Sequence, residues 1–322
     1  MHTTLAEWVS GALERNNLPG ISTVVPLVAE ASHRHFYRIT TGPRSFVVMD
    51  SPPDKEHNEQ LRIMQKLFTQ HGVPVPQILA EDERGFFLLT DLGQQHFRDA
   101  YAKGAVDECL QIAIDQLVNI QNVKDAAIPP YTETRLRDEL GIFSEWFVEG
   151  LLEAQTPDDF TTTSDLLVAN ALDQPQCCIH RDYHCRNLLI TPDGELGIVD
   201  FQDALVGPAT YDLASLLWDC YHRFDVQTVR RWQNYYEACC QFDFENLAKV
   251  TDLTGLQRQL KAVGIFARLY LRDGKTTHLA YIPPVIDTMT AIARSSPETT
   301  TLADWLSSMA APAACQIDKA TS

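Results

Sequence analysis

Between Cys178 and Phe201, short apolar runs alternate with a polar loop and a Pro-Gly turn, and the rest of the chain has to be built around that pattern. Ile179 leads into the polar loop His180-Arg-Asp-Tyr-His-Cys-Arg-Asn187. Leu188-Leu189-Ile190 reads as a short strand, Thr191-Pro-Asp-Gly194 as a turn, and Leu196 to Val199 as the returning strand that delivers Asp200. Pro presets φ and Gly accepts positive φ, so the turn has the composition a tight reversal needs. The hairpin is expected to gather Asp182, Asn187 and Asp200. Asn187 follows Asp182 by five positions, and Asp200 follows Asn187 by 13. This set suits phosphoryl transfer, which needs a positioned hydroxyl and a divalent cation on the phosphates rather than covalent help from the protein. A carboxylate such as Asp182 can accept the hydroxyl proton. A carboxamide and a second carboxylate, Asn187 and Asp200, offer hard oxygens to Mg²⁺.

The chain upstream reads as a small mixed unit. Leu5, Trp8, Val9, Ala12 and Leu13 share one helical face within Leu5 to Asn16. Strands are expected over Thr23 to Val28, Phe36 to Thr40, Ser45 to Asp50, Val75 to Ala80 and Gly85 to Thr90, with a helix over Asp54 to Gln70. After about residue 95 the pattern turns helical: Val106 to Asn122, Glu133 to Leu151, Asp165 to Leu172, Leu213 to Tyr221, Val226 to Cys240, Asn246 to Leu271 and Ile282 to Arg294. A short terminal helix follows Pro297, and Ala311 to Ser322 is expected to be a frayed tail.

Composition narrows the class. The 43 acids against 26 bases give a formal net charge of −17, which opposes nucleic acid and anionic membrane as partners. No apolar run reaches the ~18 residues of a membrane-spanning helix. The 8 cysteines include the adjacent pairs Cys177-Cys178 and Cys239-Cys240 but no Cys-x-x-Cys, so reduced packing thiols in a cytoplasmic protein are expected. A monomer is the favoured expectation for oligomeric state.

The polar loop carries a resemblance. His180-Arg-Asp-x-x-x-x-Asn187 resembles the catalytic loop of protein-kinase-like enzymes, and Asp200-Phe201 stands where their metal-binding Asp-Phe-Gly begins. His180, Asp182, His184 and Asn187 match the His-x-Asp-x-His-x-x-Asn of the aminoglycoside phosphotransferase and choline kinase family, and Tyr211-Asp212-Leu213-Ala214 matches its later Tyr-Asp-Leu-Ala. Two residues depart from the protein-kinase pattern: His184 replaces a Lys, and Gln202 replaces the Gly of the metal motif. Val48-Met49-Asp50-Ser-Pro-Pro53, Asp200-Phe-Gln-Asp203 with Gly207-Pro208, and Gly264-Ile-Phe-Ala-Arg-Leu269 with Arg272-Asp-Gly-Lys275 are similar to the branch of anomeric N-acetylmuramate and N-acetylglucosamine kinases. The similarity spans roughly residues 20 to 290.

The resemblance implies an α+β, bilobal protein-kinase-like fold: a small five-stranded antiparallel nucleotide-binding lobe with an N-terminal helix over 1–90, a hinge at 91–95, and a larger, mainly helical lobe over 96–322. It implies ATP and Mg²⁺ as cofactors and a small-molecule sugar as substrate, phosphorylated on its anomeric C1 hydroxyl to the α-1-phosphate in cell-wall sugar recycling. Asp182 would be catalytic, Asn187 and Asp200 would hold Mg²⁺, and His180 and Asp212 would be structural. Ser32, Arg34, Lys55, Asp91 and Leu92 are the nucleotide candidates. His184, Arg186, Asp219, Tyr221, Arg268 and Arg272 are the substrate candidates. The family's strand Lys is replaced by Met49, so Lys55 or Arg34 is expected to supply that charge. Two rival readings stay open: a kinase for another hydroxyl compound such as an aminoglycoside, choline or homoserine, and a non-catalytic nucleotide-binding scaffold.

Overall fold

The structure is a computed structural model that describes residues 1–27 and 33–321. Its helices are α1 (Thr3–Arg15), α2 (Asn58–Gln70), α3 (Phe97–Ala102), α4 (Val106–Gln121), α5 (Glu133–Ile142), α6 (Asp159–Leu172), α7 (Tyr211–Leu217), α8 (Val226–Cys239), α9 (Leu247–Asp273), α10 (Ile282–Arg294) and α11 (Thr300–Thr321). Its strands are β1 (Thr23–Leu27), β2 (His35–Thr41), β3 (Arg44–Asp50), β4 (Ile78–Glu81), β5 (Phe86–Thr90), β6 (Gln95–His96), β7 (Gln176–Ile179), β8 (Leu188–Ile190), β9 (Leu196–Ile198) and β10 (Leu205–Pro208). They form two compact units. One comprises Met1–Ala100 with Asn187–Asp203, and the other Tyr101–Arg186 with Ala204–Ser322. The hairpin Asn187–Asp203 thus groups with the first hundred residues rather than with the helical remainder of the chain.

The first unit is built on an antiparallel sheet in the order β1-β2-β3-β5-β4. Side chains alternate across a strand, so β3 sends Phe46 and Val48 to one face and Val47 and Met49 to the other. The first face packs with Ile39, Phe86 and Leu88 against the apolar stripe Leu5, Trp8, Val9, Ala12 and Leu13 of α1. Each large side chain of that stripe contributes about 1.5–3 kcal/mol on burial. The helix expected from Asp54 begins at Asn58. Pro52-Pro53 holds the segment before it in a turn, with the N–H of Lys55 and of Glu56 both donating to the Pro52 carbonyl. Gly85, at φ +86, lies so close to the Ser51 carbonyl that an added Cβ would sit 1.9 Å from the oxygen. In the same unit β6, β8 and β9 form a three-stranded antiparallel sheet.

The second unit is mainly helical, with β7 and β10 paired antiparallel within it. Most of α9 is buried, and α5 packs along it. A π-helical segment, Phe143–Leu151, continues α5. Gly264 of α9 makes this packing possible: an added Cβ would sit 2.6 Å from the Ile142 carbonyl. Single π turns are uncommon and cluster at functional sites, and the 3.6-residue pattern of 133–151 gave no sign of this one.

The expectation of a frayed tail is overturned. α11 runs through Ala311 to Thr321 and buries Leu302, Leu306, Met309, Ala313 and Ile317 against the unit, α10 included. Those positions recur every three or four residues, and this helical stripe passes straight through Pro312.

Candidate active site

The polar loop leaves β7 at Ile179 with its backbone fixed by two buried carboxylates of the second unit. Asp212, in the first turn of α7, accepts the N–H of His180 at 2.6 Å and that of Arg181 at 2.9 Å, one on each oxygen. Asp219, just beyond α7, accepts the N–H of Cys185 at 2.9 Å and that of Tyr221 at 2.7 Å. Asp212 thus staples the loop to α7 and Asp219 ties it to the segment that follows α7, as their burial demands, since a buried carboxylate must be matched by donors. Burial pushes the Asp212 carboxyl up to about 7 against the opposing pull of those N–H groups. Tyr183, fully buried, donates its hydroxyl to the Ala113 carbonyl at 2.8 Å and anchors the middle of the loop. Arg181 sits at φ +78, a region non-glycine residues visit rarely and mostly under local constraint.

That backbone presents Asp182 half-exposed, with four basic groups near it. Arg258 of α9 lies 3.9 Å from its carboxylate and donates to the Arg181 carbonyl at 3.2 Å. Lys261, one turn on, pairs with Glu139 at 3.0 Å, and Glu139 also takes the Arg181 guanidinium at 2.7 Å and the Tyr131 hydroxyl. Burial raises the Asp182 pKa, but Lys261, His184, Arg181 and Arg258 together outweigh it and bring it down to about 2. Asp182 is a carboxylate at any ordinary pH and retains enough exposure to meet a hydroxyl. Arg181, Arg258, Lys261 and Glu139 were not foreseen. Arg258 and Lys261 lie three apart on α9, roughly 75 residues from the loop, with no local signal to connect them.

Beside the loop, the ring of Tyr221 gathers several predicted substrate residues. Arg186 stacks over it at 4.6 Å, and His184 meets it edge-on at 5.0 Å. Three unforeseen rings join them: Tyr281 lies 5.0 Å from Tyr221, Phe266 lies 5.9 Å away, and His278 stacks on Phe266 at 5.2 Å. Burial lowers the His184 pKa, so its ring is neutral near pH 7, and its buried Nδ1 has no hydrogen-bond partner. Arg268 and Arg272 are not brought into this group. Arg272 is exposed and bidentate to Asp273 at 2.7 and 2.8 Å. Arg268 is half-buried, its pKa lowered first by burial and then by the charge of Arg272.

In the first unit the hairpin β8–β9 has the register Leu188↔Ile198, closed by the Thr191 N–H to Glu195 carbonyl bond at 2.8 Å and by Gly194 at φ +84. It brings Asn187 and Asp200 together, Asn187 Nδ2 donating to Asp200 Oδ2 at 3.4 Å, while Gln202 donates to Oδ1 at 2.7 Å. Asp200 is exposed at φ +64, and the next residue, Phe201, is buried 6.0 Å from Phe68 of α2. One carboxylate and one carboxamide oxygen fit Mg²⁺, which binds through one or two carboxylates and leaves its other positions to water and phosphate. This mode needs no cluster of three acidic or thiol ligands, and there is none among the described residues.

Of the nucleotide candidates, Ser32 lies outside the described residues. Met49 is core, 2% exposed, facing Phe36 and Phe87. Lys55 is exposed, whereas Arg34 is buried, its Nε donating to Ser51 Oγ at 3.1 Å and its other end paired with Glu56 at 3.3 Å. Glu56 also accepts the His33 N–H at 2.9 Å. Arg34 and Glu56 thus form a buried arginine–glutamate pair in this unit. Asp91 is held below the usual carboxylate range: burial opposes this, but hydrogen bonds from Arg38 at 2.6 and 3.0 Å and the Gly93 N–H at 3.0 Å prevail. Its carboxylate thereby braces the segment in which Leu92 lies half-buried.

Comparison with known proteins agrees with this chemistry. Residues 23–250 match the phosphotransferase enzyme family. The chain belongs to that family. An N-acetylmuramate/N-acetylglucosamine kinase of Pseudomonas aeruginosa is 39% identical over 300 residues, covering 89% of this chain and 88% of that protein. One of the same name from Neisseria meningitidis serogroup B is 36% identical, covering 83% and 84%. Among solved structures, the choline kinase LicA from Streptococcus pneumoniae superposes with TM-score 0.63 at 12% identity over 90% of this chain and all of that one. An aminoglycoside phosphotransferase solved with ADP and hygromycin B gives 0.62 at 16% identity over 92% of this chain and 99% of that one. The protein is thus a phosphotransferase with the α+β protein-kinase-like fold, a small-molecule kinase. No described helix is long and apolar enough to cross a membrane.

Proposed function

We propose that this phosphotransferase moves the γ-phosphoryl group of ATP onto the anomeric C1 hydroxyl of an N-acetylated amino sugar, N-acetylmuramate or N-acetylglucosamine, releasing the α-1-phosphate and ADP for reuse of cell-wall sugars. The observation that carries the chemistry is the state of Asp182: ionised among four basic groups, half-exposed, on a loop stapled at both ends. The substrate class rests on the relatives' names.

In this account Asp182 orients the C1 hydroxyl and takes its proton as the oxygen attacks phosphorus. The neighbouring cations keep Asp182 ionised, and Asp212 and Asp219 hold its backbone in place. Asn187 and Asp200 would hold Mg²⁺, which when bound neutralises charge on the transferring phosphoryl oxygens. Arg34, fixed by Glu56 and Ser51, faces the nucleotide phosphates in place of the missing strand lysine, and backbone near Leu92 receives the base.

ADP release by the purified protein tests the reading. Release should require either amino sugar, stop on chelation of Mg²⁺, and stay at background with choline, homoserine or an aminoglycoside. Turnover with an amine and none with either sugar would contradict it.

A further inference from the structure

Glu139 is a buried carboxylate on α5 that takes no part in the proton transfer assigned to Asp182. Both its oxygens are engaged. Oε1 accepts from Nη2 of Arg181 at 2.7 Å, while Oε2 takes the Lys261 ammonium at 3.0 Å and the Tyr131 hydroxyl. Arg135, one turn earlier on the same helix and more exposed, lies 3.5 Å from Oε1. Burial raises the Glu139 pKa, but Lys261, Arg181 and the Tyr131 hydroxyl outweigh it, so the group stays ionised. Its seat is set by backbone packing. Glu139 precedes Ile142 by three residues on α5, and Lys261 precedes Gly264 by three on α9. At Gly264 the two helices touch through their backbones: an added Cβ would meet the Ile142 carbonyl at 2.6 Å and the Phe143 nitrogen at 2.7 Å. Phe143 also opens the π-helical segment, a widened turn of the kind found at functional sites. One turn from that contact, Glu139 and Lys261 meet.

The two cations that Glu139 holds both bear on Asp182. Lysine is a point charge on a flexible stem, so the field of Lys261 at Asp182 is steady only where its ammonium is fixed. Arg181 directly precedes Asp182, and its backbone at φ +78 persists only when the surroundings over-determine it. The Glu139 contact supplies such a constraint, and the Arg181 guanidinium is further packed 5.7 Å from the centre of the Tyr131 ring. Without the Glu139 charge, Lys261 and Arg181 would be buried cations short of a partner, and a buried network missing one member rearranges or is destabilised.

We infer that Glu139 is the positioning residue of this site: it fixes the Lys261 ammonium and the Arg181 side chain, and through them the orientation and charge of Asp182. The inference rests on Asp182 as the proton acceptor. Glu139→Gln keeps the shape and one acceptor oxygen but removes the charge. In steady-state assays with ATP and N-acetylmuramate it should lower kcat about tenfold to a hundredfold, as small misplacements of a reacting group do. KM for ATP and for the sugar should each stay within about threefold, since Glu139 binds neither. In a Lys261→Gln background the same substitution should cost much less than in the wild type, because residues acting through one another are not additive. An unchanged kcat in Glu139→Gln, or a kcat lowered by the same factor in both backgrounds, would overturn the inference while a slow Asp182→Asn leaves the kinase reading intact. If Glu139→Gln does not fold, Tyr131→Phe decides, since it removes one donor to the carboxylate: a lower kcat at constant KM supports the inference and an unchanged kcat overturns it. Wild-type enzyme that turns over neither amino sugar, or a full rate from Asp182→Asn, removes the reading and the inference together.

Discussion

At the scale of single residues, the environment of Asp182 dictates its protonation. Its pKa is lowered in the folded protein to about 2 from an ordinary value near 4. For an acid so depressed, the unfolded chain binds the extra proton, so the stabilisation is complete above the unfolded value and is lost as pH falls through the folded one. Asp182 therefore neither switches off activity nor loses its native charge between pH 5 and 8. The acid limb of kcat in that range should be unchanged by Lys261→Gln, although kcat itself falls. A limb that moves upward by a unit or more would show that Asp182 titrates there. Arg34 and Lys55 make a second case. Arg34→Gln should raise KM for ATP about tenfold or more, as expected for a charge-assisted phosphate contact. Lys55→Ala, at an exposed position, should leave that KM within about twofold. The reverse pattern in ATP titrations would transfer the role to Lys55. The sequence posed this choice without deciding it, because burial of Arg34 depends on Glu56 and Ser51, which reach it only through the fold.

At the scale of elements, the hairpin β8–β9 was legible because short apolar runs flanking a Pro-Gly turn are a local signal, and its register follows from the four-residue turn. The staples were half legible. Asp212 was expected to be structural, whereas Asp219 was grouped with sugar-binding groups, because an acid beside aromatics gives no sequence cue to which N–H groups it will meet. Each staple uses both oxygens as acceptors, and an asparagine offers only one. Asp219→Asn and Asp212→Asn should therefore each cost about 1–3 kcal/mol, since one buried N–H is left facing an amide NH₂. Denaturant unfolding measures that cost, and a loss below about 0.5 kcal/mol would mean the staple is not under load. α2 and α11 show the limits of local reading. Pro52-Pro53 delays the start of α2, and the Ala-rich composition of α11 hid a stripe that only tertiary packing makes decisive.

At the scale of the whole molecule, the fold class was implied by the resemblance of the polar loop to a known family, and the order of elements, a strand-rich first part and a helical remainder, agrees with it. What the order could not show is that Asn187–Asp203 groups with the first hundred residues, so that the motif His180–Asn187 spans the boundary between the two compact units. Sequence neighbours five apart are thereby assigned to different units, and contacts across long sequence separation decide that. The bulk charge of −17 likewise conceals three cations, Arg181, Arg258 and Lys261, concentrated near one carboxylate. The central claim, that this arrangement phosphorylates the anomeric oxygen of an amino sugar, is tested most directly by phosphorus NMR of the product formed from ATP and N-acetylmuramate. The account predicts one α-anomeric sugar 1-phosphate, produced about 10²–10⁴-fold more slowly by Asp182→Asn. A phosphate on any other hydroxyl, or a full rate from Asp182→Asn, would contradict it.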